Sequence, residues 1–147
     1  MFGTVSPTLK WSPELVRLTR ELYRAVSTGD DAFFSRFLSR GACCVVIGTG
    51  PDEWWENHAD ALAAIREQMH AVGDGVDLTG GAIIAYERGE VGWVSDRPTF
   101  RLGVTVVACR HTSVFNREDG DWRIVQHHFS IGITNENAFG PDAARLE

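Results

Sequence analysis

Residues 104–133 read Val-Thr-Val-Val-Ala-Cys-Arg-His-Thr-Ser-Val-Phe-Asn, then Arg-Glu-Asp-Gly-Asp, then Trp-Arg-Ile-Val-Gln-His-His-Phe-Ser-Ile-Gly-Ile. Two β-rich runs, Val104 to Asn116 and Trp122 to Ile133, thus flank a polar cluster centred on Asp119-Gly120, the composition of a hairpin turn. Strand alternation puts Trp122, Ile124, Gln126, His128 and Ser130 on one face and Arg123, Val125, His127, Phe129 and Ile131 on the other. With Asp119-Gly120 as a type I′ turn, Glu118 pairs with Asp121, which sets Ser113 opposite Gln126 and His111 opposite His128. A longer turn with a glycine bulge would set Thr112 and Arg110 there instead.

Upstream, Val76 to Tyr86 and Val91 to Leu102 flank Glu87-Arg88-Gly89-Glu90 in the same manner, so residues 76–133 predict a four-stranded antiparallel meander. Helical signals come before it. Ser12-Pro13-Glu14 has an N-cap, a first-turn proline and a carboxylate at the positive end of a helix dipole; Leu15, Leu18, Leu22 and Val26 then mark one face as far as Gly29. A second short helix follows Asp30, with Phe33, Phe34 and Phe37 as core residues. Ala42 to Ile47 predicts one strand, broken by Gly48 to Asp52. Asn57 with Asp60 marks the start of a third helix, whose buried face is Leu62, Ile65, Met69 and Val72. Helices grouped early and strands grouped late predict an α+β fold, with N-terminal helices packed on a curved antiparallel sheet.

The 147 residues suit one domain, with a core over about residues 14–133, an N-terminal arm and a surface tail from Thr134. A net charge of −6 with no basic stripe argues against nucleic acid as a partner. The longest apolar run, Ala42 to Ile47, is too short for a bilayer, and Met1 to Pro13 lacks the form of a signal peptide. Cys43, Cys44 and Cys109 are an odd number without a Cys-x-x-Cys pair and suit reduced thiols, so a cytoplasmic location is expected.

The order helix, short helix, strand, third helix and meander resembles the SnoaL-like, nuclear-transport-factor-two-like superfamily. The more specific part is Asp119-Gly120-Asp121-Trp122-Arg123-Ile124-Val125-Gln126-His127-His128-Phe129-Ser130, which is similar to the last hairpin of SnoaL-like proteins except for Gln126 in place of a histidine. The resemblance implies a cone-like α+β barrel around a small-molecule pocket. It also implies that the face bearing Gln126 and His128 points inward. The ketosteroid-isomerase arrangement of the superfamily does not carry over: its phenol position falls near Leu22, with Tyr23 about 100° away around the helix, and Val46 stands where its aspartate base would be.

These readings assemble a candidate pocket from His111, Ser113, Gln126, His128 and Ser130, a few polar groups in an apolar cavity. The alternative is that these side chains sit on a solvated or dimer-facing surface, or satisfy one another in the core. Trp93 and Ser95 share a phase and are expected to line the cavity; Trp54 and Trp55, in a loop before a helix, either cap it or anchor the loop in the core. Asp96 with His128 is the candidate acid–base pair. Histidines with Asp96 lack the ligand spacing of a zinc motif, and no metal or cofactor is expected. Two function classes follow: a domain that binds a small apolar or aromatic molecule, and an enzyme of the polyketide-cyclase or isomerase type moving a proton on a small carbonyl compound. The outer face, with Arg123, Val125, His127, Phe129 and Ile131, is the expected homodimer surface.

Overall fold

The computed structural model describes residues 3–146. The elements in chain order are β1 (Lys10–Trp11), α1 (Pro13–Thr28), α2 (Asp31–Phe37), β2 (Val45–Ile47), β3 (Trp54–Trp55), α3 (His58–Val72), β4 (Val76–Thr79), β5 (Ile84–Arg88), β6 (Val91–Asp96), β7 (Thr99–Leu102), β8 (Thr105–Glu118), β9 (Asp121–Ile131) and α4 (Asn135–Phe139), followed by a 3₁₀ turn over Pro141–Leu146. No described helix is long and apolar enough to cross a membrane.

Local chemistry sets the helix ends. Ser12 Oγ accepts from Leu15 N at 3.3 Å, Pro13 fills the first turn, and Gly29 closes α1 in the left-handed conformation at φ 69°. Asn57 Oδ1 accepts from Asp60 N at 2.8 Å, which caps α3 where the sequence places it. The tail holds the short helix α4, capped by Thr134, rather than an irregular segment.

The sheet order is β1-β5-β6-β8-β9-β2-β3, and β4 joins through β7, which pairs with β8. The first expected strand divides into β4 and β5 around Gly80-Gly81, and the second into β6 and β7 at Arg97-Pro98. Proline cannot continue a central ladder. As a result β8 pairs with β7 over its first residues and with β6 over its last. One expectation is corrected here: the sheet is mixed, because β2 runs parallel to β9, with Val46 beside His127. The turn at Asp119-Gly120 has both φ values positive, 53° and 83°, and Glu118 pairs with Asp121 as expected of a type I′ turn.

The helices α1, α2 and α3 cover the inner face of this sheet. Their core includes Leu15, Leu22, Phe34, Phe115, Trp122 and Ile124, all buried. Trp122 ties the hairpin to α1, its Nε1 donating to Glu14 Oε2 at 3.1 Å while Arg117 lies over the ring at 4.0 Å. Contact between α1 and β6 is close enough to require glycine at residue 92. A Cβ there would stand 2.3 Å from Leu15 Cδ1 and 3.1 Å from Tyr86 O. Because Leu15 is fully buried and has little room to yield, Gly92→Ala is expected to destabilise the fold by about 1–3 kcal/mol, the usual cost of overpacking. Urea unfolding of the variant and the parent measures this, and an unchanged midpoint would contradict the packing described.

Candidate functional site

The β8–β9 ladder carries the site, and one residue sets its orientation. Val114 pairs with Gln126 and Phe115 with Ile124, which leaves Val125 without a partner as a bulge. From the turn to Ile124 the expected phase holds, with Trp122 and Ile124 buried. Beyond Val125 it inverts: Ser113 faces His127 and His111 faces Phe129. The bulge lies where β9 changes neighbours, since Ile124 O accepts from Ser39 N at 2.9 Å and β2 begins its pairing at Gln126. Inversion buries His127 and half-buries Phe129 while Gln126 reaches solvent, which favours burial of the aromatic ring over the amide.

Several sequence expectations are therefore corrected. His128, Gln126 and Ser130 lie on the outer face, where Ser130 Oγ accepts from Arg110 Nε at 3.1 Å. His127, Phe129 and Ile131, expected on a dimer face, are on the inner side, and all three line the cavity. On β6 the buried residues are Gly92, Val94 and Asp96, so Trp93 and Ser95 point outward, with Trp93 packed on Tyr86 at 6.3 Å between centroids. His111 and Ser113 do face inward, both 1% exposed, but neither is among the residues that line the cavity.

Asp96 and His111 are directly paired across β6 and β8, and α1 adds a residue that sequence reasoning placed away from the site. The Tyr23 hydroxyl donates to Asp96 Oδ2 at 2.8 Å and lies 2.8 Å from His111 Nδ1. Leu15, Thr19 and Tyr23 form a second buried row at spacing four beside Leu18 and Leu22, so the inward face of α1 is wide enough for both positions 22 and 23. The network continues from His111 Nε2 to Ser113 Oγ at 2.7 Å and from Ser113 Oγ to His127 Nδ1 at 2.9 Å. Phe129 stacks on His111 with ring centroids 4.6 Å apart and 10° between planes.

Gly80 and Gly81 make room for the far end of this chain. A Cβ on Gly80 would stand 3.0 Å from Tyr23 Cε2, and one on Gly81 would stand 2.9 Å from Asp96 Oδ1. Gly81 N donates to Asp96 Oδ2 at 3.1 Å, while the buried Oδ1 has no hydrogen-bond partner among the described residues.

The other end of the chain opens on a cavity of about 460 Å³ between α3, the end of α1 and the inner face of the sheet. Its walls are mostly apolar, including Val46, Ile65, Met69, Leu78, Phe100 and Phe129, with His127 among them. Trp55 lines it, whereas Trp54 is exposed and donates from Nε1 to Glu56 at 3.2 Å. Glu53, also on the wall, accepts from Gly50 N at 2.7 Å and from Gln68 Nε2 at 2.5 Å.

Burial dominates the electrostatics. It lowers the pKa of His111 well below the ordinary value, with smaller contributions from His127 and His128, and lowers that of His127 to about 4, with a smaller contribution from His128. The Tyr23 phenol is raised, first by burial and then by its hydrogen bond to Asp96, and keeps its proton. At neutral pH the site thus holds neutral imidazoles, a protonated phenol and a hydroxyl in series, an arrangement able to hydrogen-bond a guest or to accept a proton from one.

Residues 16–134 match the family described as the SnoaL-like domain. No curated protein matches the chain significantly. An NTF2-like protein of unknown function from Pseudomonas putida KT2440 shares the fold with a TM-score of 0.78 at 14% identity, over 87% of this chain and 94% of that one. A candidate dehydratase of the NTF2-like family from Streptomyces avermitilis is similar at a TM-score of 0.72 and 15% identity, over 82% and 96% of the two chains. A candidate ketosteroid isomerase from Shewanella frigidimarina NCIMB 400 follows at 0.65 and 14%, over 78% and 92%. At such identities the likeness extends to the fold alone.

The depressed histidine values have a definite sign in stability. As pH falls from 6.5 toward 4, the unfolded chain binds a proton at His127 that the folded chain refuses, so stability present at pH 7 is lost across that window. The loss from His127 is expected to be roughly 3 kcal/mol. Urea unfolding measured through this range checks it: the decline should be visibly shallower in His127→Phe, and an equal slope in both proteins would contradict a neutral buried His127.

Proposed function

The chain belongs to the SnoaL-like domain family, and from that premise we propose that it binds a small, largely apolar molecule in the cavity, with His127 as the polar contact. The observation that carries this reading is an apolar cavity of about 460 Å³ lined by a buried histidine whose Nε2 has no partner among the described residues. The volume lies within the range of small-ligand sites, and apolar walls with a few polar groups are their usual composition. Trp55 and Phe129 supply flat surfaces suited to an aromatic or alicyclic guest.

The hydrogen-bonded series from Asp96 to His127 favours a second reading, acid–base chemistry on such a guest. In that reading His127 Nε2 is the base at the cavity, in place of His128, and Asp96 lies at the remote end of the chain. Proton abstraction beside a carbonyl needs a base with a free lone pair close to the substrate, and the placement of His127 supports that role.

One variant examines both readings. His127→Phe keeps a ring of similar shape and removes both nitrogens. It is expected to weaken binding of 2-naphthol at least about tenfold, the scale of one buried hydrogen bond, as measured by calorimetry with tryptophan fluorescence as a second signal. Deuterium exchange at the α-carbon of cyclohexanone should be accelerated by the parent and not by the variant if the acid–base reading holds. Equal naphthol affinity in both proteins would remove His127 from the binding site, and no exchange by the parent would count against catalysis.

A further inference from the structure

The hydrogen bonds between Asp96 and His127 have a direction, and it can be read from one end. Tyr23 has a single hydroxyl proton, donated to Asp96 Oδ2. Toward His111 Nδ1 the same oxygen can only accept, so Nδ1 of His111 carries the ring proton. In a neutral imidazole the other nitrogen is then bare, so His111 Nε2 accepts from Ser113 Oγ. Ser113 has spent its only proton, and its oxygen accepts from His127 Nδ1. His127 Nε2 is left as a bare lone pair, with no partner among the described residues, on a ring that lines the cavity.

The opposite order needs a proton on Asp96 Oδ2 directed at Tyr23. That oxygen already accepts from Gly81 N, which argues for an acceptor there. A proton on Asp96 Oδ1 would not reverse the series, because Oδ2 would still accept from Tyr23. Burial keeps both rings neutral at pH 7, as the direction requires.

We infer that Asp96 and Tyr23, acting through His111 and Ser113, hold His127 in the Nδ1–H tautomer, so that the cavity presents an acceptor and selects guests whose polar group is a donor, phenols and alcohols over ethers and ketones. Asp96 and Tyr23 are positioning residues in this scheme: they act on the guest through groups they do not themselves share with it. A carbonyl or ether oxygen set against the bare Nε2 would leave two lone pairs facing each other away from water. The ligand preference rests on the cavity being a binding site; the tautomer does not.

Nitrogen-15 NMR of the whole protein at pH 7 tests the tautomer without a ligand. His127 is expected to show a protonated Nδ1 and a bare Nε2. Tyr23→Phe keeps the ring and removes the oxygen, which frees His111 to carry its proton on Nε2, turn the Ser113 hydroxyl toward His127 Nδ1 and move the His127 proton to Nε2. A shift of His127 toward the Nε2–H form in this variant is the expected result, since a merely structural role for Tyr23 would not convert the tautomer of a ring it does not bond. A parent His127 protonated on Nε2, or a Tyr23→Phe protein with the parent's His127 tautomer, overturns the inference. For the guest, 4-ethylphenol is expected to bind the parent at least about tenfold more tightly than 4-ethylanisole, the scale of one hydrogen bond left unmade, and Tyr23→Phe should narrow that ratio. Equal affinities overturn donor selection. If neither compound binds, the cavity reading and the ligand preference fall together, while the NMR result alone decides the tautomer.

Discussion

The bulge at Val125 is the constraint on which the site depends. The β8–β9 ladder starts at a tight turn that fixes Glu118 opposite Asp121, and from there each pair is determined until one residue is skipped. A regular ladder would have turned Gln126, His128 and Ser130 inward and left Phe129 and Ile131 on the outside. With Val125 unpaired, β9 offers Trp122 and Ile124 to the helices near the turn and His127 and Phe129 to the cavity farther along. Since β2 joins β9 just beyond the bulge, Val46 falls in step with His127 and completes that wall.

Burying Asp96, Tyr23, His111, Ser113 and His127 together would be costly if they were independent. Each isolated polar group taken out of water costs on the order of 1–3 kcal/mol. Here every link supplies the partner of the next, and the stack of His111 on Phe129 encloses the series in apolar surface. Such networks are rigid when fully satisfied and fragile when one member is removed. The unpaired Oδ1 of Asp96 lies at the end remote from the cavity, beside the Gly81 backbone that only glycine allows so close.

Four elements converge on this series, with β9 supplying His127 at its cavity end. The helix α1 contributes Tyr23 because its buried face is wide enough to include the row through Leu15 and Thr19. The end of β6 contributes Asp96 just before Pro98 breaks the ladder, and β8 contributes His111 and Ser113, paired with Asp96 and Val94 of β6. The cavity next to it lies between α3, with Ile65 and Met69, and the strands, with Phe100 and Phe129.

Helix ends, turn type and the α+β order were legible in the chain because they depend on neighbours in sequence: Ser12, Gly29, Asn57 and Asp119-Gly120 each act within a turn of themselves. His111 and Ser113 were legible as well, since β8 keeps its phase throughout. The reversal in β9 had a signal that plain alternation overlooks. Its apolar residues occupy even positions at Trp122 and Ile124 and odd ones at Phe129 and Ile131, a phase slip that marks a bulge. For Tyr23 the periodicity of α1 favoured Leu22, and how wide a helix face becomes buried is decided by what packs against it. By itself, then, the sequence determined the helix ends, the turn and the class of fold, all governed by local backbone preference. Which histidine reaches the cavity, and that Tyr23 and Asp96 stand behind it, were decided only by tertiary structure, because β2, the strand break at Pro98 and the seating of α1 choose between phases that local energetics leave nearly equal.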